Sequence, residues 1–279
     1  MSGGLLAYSG IETKIRAMEG ELLSEDDFRV ILAFREVAEV AGYLRAHAGY
    51  QEVFADVPGT DVHREVVEQT VRQAIYADYR KIYRFANAEQ KAFLEAYRGG
   101  EEASLFDDEV PEGEIRFSGL WRRRDEIGGK EVEGILTRIL GTRFDTLNLW
   151  YLYRAKKFFR ISGTELYALT IPFLYKLKKQ DIADLVRAVN AEEFGRALAS
   201  TYYGKHKPGL KGDDLKALCE TAVAAAVKRE RAAHPHSVAC LFGYLWEKEQ
   251  EAYQLISAVE KVRYGVGGKA VGGNTVTAD

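Results

Sequence analysis

Apolar side chains recur at three- and four-residue steps along most of the chain, which is the spacing of one face of an α-helix. The widest apolar surface lies in residues 141–159, with the sequence GTRFDTLNLWYLYRAKKFF. Its stripe comprises Phe144, Leu147, Tyr151, Ala155 and Phe158, and it is widened by Leu149, Trp150, Leu152, Tyr153 and Phe159. Because one neighbouring helix cannot cover so wide a surface, we expect a central helix that is buried on most sides. A surface that docks partly on another protein is the alternative.

Three polar side chains interrupt this apolar surface. They are Asp145, Asn148 and Arg154. A polar group taken out of water costs free energy unless it finds a hydrogen-bond partner. Any of the three that is buried is therefore predicted to have a partner elsewhere in the chain.

Helical periodicity also dominates the rest of the sequence. It predicts long helices over residues 62–85 and 238–264, and a shorter helix over 89–97 that ends at Gly99 and Gly100. Gly265 is expected to end the last of them. Since no stretch shows the strict alternation of a half-buried strand, the sequence predicts an all-α protein.

One apolar pattern occurs twice in the chain. Its first copy comprises Val37, Val40, Leu44, Tyr50 and Phe54, and its second copy comprises Ile182, Leu185, Val189, Phe194 and Leu198. The steps agree apart from one residue in the middle, and each copy follows a stretch rich in Leu, Tyr and Phe. The pattern indicates a duplicated helical unit, and a third copy near the C-terminus is left open.

Composition narrows the class of protein. The 279 residues are 47% hydrophobic and 29% charged, with a formal net charge of −3, which is typical of a globular protein and argues against a dedicated nucleic-acid binder. Cys219 and Cys240 are the only cysteines, so no disulfide framework is expected and a reducing cytoplasm is favoured. The N-terminus lacks the pattern of a signal peptide, and no apolar run is long enough to span a membrane.

Candidate chemistry is sparse. His234-Pro235-His236 has no further ligand of suitable type nearby, and the glycines of 265–268 do not keep the spacing of a phosphate-binding loop. The three arginines 122–124 follow the acidic segment 101–114, which favours charge pairing over a nucleic-acid patch. We therefore expect no metal, no cofactor and no enzymatic activity.

Three segments, in order, resemble one known family. They are AYSGIETKIRAMEGELLS, FDTLNLWYLYRAKKFF and YLWEKEQEAYQLISAVEKVRYG. The chain is similar here to the C-type (AC39) subunits of V/A-type ATPases, which are the equivalents of the d-type subunits of eukaryotic V-ATPases. The matching positions are Asp145, Asn148-Leu149, Tyr151, Arg154, Lys156-Lys157 and Arg263-Tyr264-Gly265. The acidic segment 101–114 and a rather short chain depart from the family pattern.

The resemblance implies a funnel of about three similar helix-bundle units with pseudo-three-fold arrangement. It implies one helical domain over residues 1–266, followed by a flexible glycine-rich tail over 267–279. The implied function is that of a non-catalytic central-stalk subunit in a rotary ATPase that transports protons or sodium ions. One end would receive the rotor shaft of the ATPase head, and the other would rest on the cytoplasmic face of the membrane proteolipid ring.

Tyrosines and basic residues near the junctions between units are candidates for these partner contacts. They are Tyr8, Lys14, Arg16, Arg154 and Lys157. Pairing between repeats within the chain is the alternative role for each of them. At the level of the whole protein, the alternative is a stand-alone helical-repeat scaffold that binds other proteins.

Overall fold

The computed structural model describes residues 2–59, 62–99, 112–159, 161 and 163–265, and within 2–7 and 112–116 it describes the backbone only. The predicted tail 267–279 and most of the acidic segment 101–114 lie outside these ranges. In the described part of the chain all regular structure is helical and no strand occurs, which confirms the predicted all-α class.

The described part of the chain forms fourteen α-helices. They are α1 (Ser2–Glu19), α2 (Glu25–Ala33), α3 (Val37–Ala46), α4 (Gln51–Phe54), α5 (Arg64–Phe85), α6 (Ala88–Arg98), α7 (Glu112–Arg122), α8 (Arg124–Arg154), α9 (Gly163–Ala168), α10 (Lys179–Arg187), α11 (Ala191–Ser200), α12 (Tyr202–His206), α13 (Leu215–Ala233) and α14 (Val238–Arg263). A π-helical turn (Ala155–Phe159) follows α8, and a 3₁₀ turn (Gly212–Asp214) precedes α13. The predicted helices at 62–85, 89–97 and 238–264 are confirmed as α5, α6 and α14.

The chain divides into two compact units. Unit 1 comprises Met1–Lys91 and Cys240–Asp279, and unit 2 comprises Ala92–Ala239. In unit 1, α5 packs on α1 and on the short helices α3 and α4. In unit 2, α13 packs along α8, while α9, α10, α11 and α12 contact one another in chain order. Each unit thus combines long helices with a cluster of short ones.

The central helix of the sequence prediction is the second half of α8. Phe144, Asp145, Asn148 and Leu149 have no exposed surface, so burial on most sides is confirmed. The first half of α8 is interrupted at Gly129. The φ of Gly129 is +71°, in the left-handed region that glycine enters readily.

The apolar surface ends earlier than its periodicity predicts. Phe158 and Phe159, which the sequence assigns to this surface, are 61% and 63% exposed. The reason is the π-helical turn at Ala155–Phe159, because the wider turn takes the side chains out of the 3.6-residue register of α8. The prediction that these two residues are buried was wrong.

Two consecutive short helices of unit 1, α2 and α3, recur in unit 2 as α10 and α11. Helices α2 and α10 both have nine residues, and α3 and α11 both have ten. Residue 24 before α2 corresponds to residue 178 before α10, and the further pairs keep this spacing of about 154 residues. The equivalent buried pairs are Leu23 and Leu177, Ile31 and Leu185, Val40 and Phe194, and Leu44 and Leu198.

The capping hydrogen bonds confirm this equivalence. The backbone N–H of Ser24 donates to Asp27 Oδ2 at 2.7 Å, and that of Lys178 donates to Asp181 at 2.8 Å. At the start of the following helix, the N–H of Arg35 donates to Glu39 Oε2 at 2.8 Å, and the equivalent N–H of Val189 donates to Glu193 at 3.0 Å. Carboxylates three or four residues ahead therefore set the helix starts in both clusters.

The structure corrects the register of the repeat. The apolar spacing in the sequence matches the residues of α3 with those of α10, but in the structure the equivalent of α3 is α11. Under the sequence register Val189 would match Leu44, yet Val189 is 83% exposed and Leu44 is fully buried. Any amphipathic helix repeats steps of three and four, so apolar spacing alone could not choose between neighbouring helices. A third copy and the funnel-shaped arrangement stay predictions.

Candidate interaction site

A buried carboxylate on α8 holds the segment that leads into the short helices of unit 2. Asp145 accepts backbone N–H groups from Tyr175 at 3.0 Å, Lys176 at 2.6 Å and Leu177 at 3.0 Å. The hydroxyl of Tyr203 donates to the same carboxylate at 3.1 Å. Burial raises the pKa of Asp145 above its ordinary value, and these four donors oppose that rise. The sequence prediction that Asp145 has partners is confirmed.

Unit 1 places a carboxylate at the equivalent point. Glu251 on α14 accepts the backbone N–H of Leu23 at 2.5 Å, and Leu23 is the equivalent of Leu177. The Glu251 carboxylate lies 2.7 Å from Nζ of Lys248, whose side chain is 1% exposed and whose Nζ lies 3.9 Å from Asp78. In each unit, a carboxylate from a long helix therefore fixes the entry to the short-helix cluster.

Two further side chains near the end of α8 hold backbone segments of unit 2. The Asn148 amide donates to the carbonyl of Ile171 at 3.1 Å and accepts the Ile171 N–H at 2.7 Å. Lys156 Nζ donates to the carbonyls of Val186 at 2.7 Å and Ala188 at 2.6 Å, where α10 ends. Burial lowers the pKa of Lys156. The sequence predicts that a buried Asn148 has a partner, and the structure shows that this partner is the backbone of Ile171, 23 residues away.

A groove of about 930 Å³ lies in unit 2 beside the end of α8. Most of its lining is apolar. The lining residues are Tyr153, Lys156, Lys157, Ile161, Gly163, Leu166, Val186, Arg187, Ala188, Val189, Asn190, Ala191, Phe194 and Asp213. The α10–α11 connection supplies Val189, which is 83% exposed, and Phe158 beside Lys157 is 61% exposed. A concave, apolar surface with exposed large side chains is typical of an interaction site.

The lining of the groove contains charged residues of both signs. Lys157 donates from Nζ to Asp213 Oδ1, which also accepts the Tyr153 hydroxyl at 2.6 Å. The hydrogen bond between Lys157 and Asp213 raises the pKa of the lysine and lowers the pKa of the aspartate. Arg187 is 71% exposed at its side chain and lies 3.3 Å from Asp184. The lining holds three cations and the carboxylate of Asp213, and two further carboxylates adjoin it. Asp184 pairs with Arg187, and Glu193 accepts the backbone N–H of Val189 at 3.0 Å, so the charges at the groove are balanced.

The predicted partner-binding residues fall in both units. Tyr8, Lys14 and Arg16 lie on α1 in unit 1, whereas Arg154 and Lys157 lie at the end of α8 in unit 2. Arg16 is exposed and pairs with Glu12 at 2.6 Å, Lys14 is half-buried, and Tyr8 is buried at 4% exposure. Arg154 is exposed and its guanidinium lies 5.5 Å from the centre of the Trp150 ring.

Of these five residues, Lys157 alone contributes to the groove lining. Sequence reasoning missed the other groove residues, above all Val189, which it assigned to a buried stripe. Its position two residues after the end of α10, next to the capping Asn190, could have indicated that it lies in a connection.

The described residues offer no centre for a metal. Among them, no group of three or more His, Cys, Asp or Glu side chains comes together in a way that could hold an ion. None of the described helices has both the length and the apolar character that crossing a membrane requires.

Comparison with known proteins identifies the family. The family model described as ATP synthase (C/AC39) subunit matches residues 11–103 and 116–270. No curated protein matches the chain. The matched residues include α8 with Asp145, Asn148 and the groove, as well as α14 with Glu251. Since the match covers nearly the whole sequence, the chain belongs to the ATP synthase (C/AC39) subunit family.

Proposed function

We propose that this chain is a non-catalytic central-stalk subunit of a rotary V/A-type ATPase, which joins the rotor shaft to the membrane proteolipid ring. The observation that carries the proposal is the family match over residues 11–103 and 116–270. In this role the protein lies at the cytoplasmic face of the membrane and is held there through the ATPase complex. We propose that residues 1–266 act as one helical domain in this role.

The internal construction of each unit suits a mechanical role. A coupling protein must transmit torque without yielding, and close-packed helices resist deformation. In unit 2, four hydrogen bonds to Asp145 tie the 31-residue helix α8 to the segment before the short helices. In unit 1, Glu251 ties the 26-residue helix α14 to the equivalent segment at Leu23. A load on the short helices would pass directly into a long helix of the same unit.

The contacts with the shaft and the ring are proposed to involve the basic residues on α1 and α8. Arg16, Arg154 and Lys157 are exposed, so a partner can reach them directly. Lys14 is half-buried, and Tyr8 is buried, so a contribution from Tyr8 would act through the packing of α1. Charged groups at such a surface guide orientation and association rate more than they set affinity.

A bridging assay tests the proposed function. The purified chain is mixed with the ATPase head carrying its shaft and with detergent-solubilised proteolipid ring, and complexes are separated by size. We expect head and ring to elute together only when the chain is present. If the chain binds neither component, the proposed function is wrong. A chain that binds unrelated proteins but not these two would be a stand-alone scaffold.

A further inference from the structure

We propose that an exposed patch of unit 2 binds directly to the anionic headgroups of a lipid bilayer. The patch comprises Phe158 and Phe159 in the π-helical turn after α8, together with Lys205, Lys207 and Lys211 in the segment that leads from α12 to the 3₁₀ turn. We call it the aromatic–basic patch. The inference goes beyond the proposed function, because a bilayer is a partner distinct from the shaft and the ring.

Side-chain contacts join the π-helical turn to the basic segment. The segment ends at Gly212, which packs so closely on the Tyr153 ring that a Cβ atom there would overlap the ring. The next residue, Asp213, pairs with Lys157 Nζ and accepts the Tyr153 hydroxyl at 2.6 Å. Lys157 precedes Phe158, and its Nζ lies 5.5 Å from the centre of the Phe158 ring. The phenylalanines and the end of the basic segment are therefore neighbours on the surface of one unit.

The apolar part of the patch consists of two consecutive large side chains. Phe158 and Phe159 are 61% and 63% exposed, although each ring would gain free energy by leaving water. Tyr202, at the start of the basic segment, is also exposed, and Lys176 Nζ lies 5.5 Å from the centre of its ring. Exposed aromatic rings beside lysines are typical of surfaces that lie in the headgroup region of a membrane.

The charge of this part of the chain is positive after every carboxylate is counted. Residues 154–214 contain twelve Lys and Arg but seven Asp and Glu, whereas the whole chain has a net charge of −3. The charges in the groove itself are balanced, but residues 201–212 add three lysines and no carboxylate. The carboxylates that follow them are engaged, since Asp213 pairs with Lys157 and Asp214 accepts the N–H of Lys211 at 2.9 Å. Anionic lipid attracts such a basic surface.

The residue types favour a bilayer over a protein partner. Lysine is depleted in the interfaces between proteins, where arginine, tyrosine and tryptophan are enriched. In the aromatic–basic patch the cations are lysines and the apolar groups are phenylalanines. On a membrane the rings can enter the boundary between headgroups and acyl chains, while the flexible lysines reach the phosphates.

Sedimentation with vesicles tests the inference. The full chain is mixed with vesicles of phosphatidylcholine alone or of equal parts of phosphatidylcholine and phosphatidylglycerol, and the bound fraction is measured against lipid concentration. We expect the chain to bind the mixed vesicles more tightly by about tenfold or more. This binding should weaken as the salt concentration rises.

Phe159→Ser reports on the apolar part of the patch. We expect it to weaken binding to the mixed vesicles by about fivefold or more. Phe85→Ser is the matched control, because Phe85 at the end of α5 is 62% exposed, like Phe159 at 63%. Its binding should stay within about twofold of the unsubstituted chain.

Lys205→Glu/Lys207→Glu reports on charge, and we expect it to weaken binding by about tenfold or more. Lys130→Glu/Lys228→Glu gives the same net charge by reversing two exposed lysines toward the other ends of α8 and α13. This control should weaken binding far less. Equal losses in the patch variants and their controls would overturn the inference, because binding would then follow overall composition.

Two further outcomes would also overturn the inference. A chain that does not bind the mixed vesicles would do so and would leave the proposed function standing, since the bridging assay uses detergent and no bilayer. If the patch variants bind vesicles normally but lose the purified ring, the patch is a protein interface. A chain that binds vesicles through the patch yet bridges neither head nor ring would support the inference and contradict the proposed function.

Discussion

Lys248 and Glu251 form an ion pair inside unit 1, with 2.7 Å between Nζ and Oε2 and with side chains that are 1% and 5% exposed. The other oxygen of Glu251 accepts the N–H of Leu23, and Lys248 Nζ also lies 4.1 Å from the centre of the Tyr50 ring. Two charges removed from water stabilise a fold only when each compensates the other. Through these contacts the pair links α14 to Leu23 and to Tyr50. Loss of either charge would leave the other one buried without compensation.

Lys248→Met tests this pair. The substitution leaves the buried carboxylate of Glu251 without its cation and leaves that of Asp78 with Lys81 alone. We therefore expect the free energy of unfolding to fall by about 3–5 kcal/mol. The measurement is a urea titration at neutral pH followed by circular dichroism. In the double variant Lys248→Met/Glu251→Gln one of those charges is absent, and part of the lost stability should return. A double variant that is no more stable than the single one would contradict the account.

Asp145→Asn tests the equivalent anchor in unit 2. If the asparagine oxygen takes the place of Oδ2, three of the four hydrogen bonds are kept. The NH₂ group of the asparagine then takes the place of Oδ1 and faces the N–H of Tyr175, which is also a donor. One buried donor is left without an acceptor, which should cost about 2 kcal/mol of the free energy of unfolding. Asp184→Asn, at a 42% exposed carboxylate of α10, is the control and should change stability far less. Equal losses in the two variants would argue against the anchoring role of Asp145.

The start of α2 predicts a dependence of stability on pH. The hydrogen bonds from Ser24, followed by the one from Tyr43, lower the pKa of Asp27 from its ordinary 3.8 to about 2. A carboxyl group whose pKa is lowered by folding stabilises the fold above its unfolded-state pKa. That contribution is lost as the pH falls toward the folded-state pKa.

We therefore expect Asp27→Asn to be less stable than the unsubstituted protein by roughly 1 kcal/mol above pH about 4. The difference should shrink between pH about 4 and about 2. Urea unfolding over a pH series measures it, and Asp26→Asn, at an 82% exposed neighbouring carboxylate, is the control. A difference between Asp27→Asn and the unsubstituted protein that stays constant over this pH range would show that Asp27 does not act through its charge.

Close backbone packing around α12 gives a further prediction. A Cβ atom on Gly204 would lie 2.2 Å from the carbonyl oxygen of Leu198 and 2.6 Å from Cα of Ala199. Since both are backbone atoms, the helices must move apart, and Gly204→Ala should lower the free energy of unfolding by about 3 kcal/mol. Gly195 in α11 has no atom within 4 Å of such a Cβ, so Gly195→Ala should instead raise it by about 0.5–1 kcal/mol. Thermal unfolding of the two variants should shift the melting temperature in opposite directions.

Much of the fold could be predicted because amphipathic periodicity is a local property. The long helices α5 and α14 have nearly the predicted bounds, and Gly265 follows the last of them with a φ of +65°. The need of Asp145 and Asn148 for partners was predictable too, since a buried polar group in an apolar surface must be satisfied. Their actual partners were not, because they lie 23 to 58 residues away and are mostly backbone groups that carry no sequence signal.

The groove itself could not be predicted. Its apolar border depends on the π-helical turn at Ala155–Phe159 and on the exposed connection at Val189, and helical periodicity assigns both places to the core. The register of the repeat shows the same limit. The capping carboxylates Asp181 and Glu193 identify the equivalent helices, whereas the apolar steps fit either neighbour. Sequence signals of helix ends were more informative here than signals of helix faces.

The most direct test of the proposed mechanical role is the coupling ratio of the assembled ATPase with and without this chain. Ion transport into vesicles and ATP hydrolysis are measured together on complexes prepared with the chain, without it, and with the chain added back. We expect hydrolysis to continue without the chain while ion transport is lost, and transport to return on addition. A complex that assembles and transports ions at the normal ratio in its absence would contradict the account.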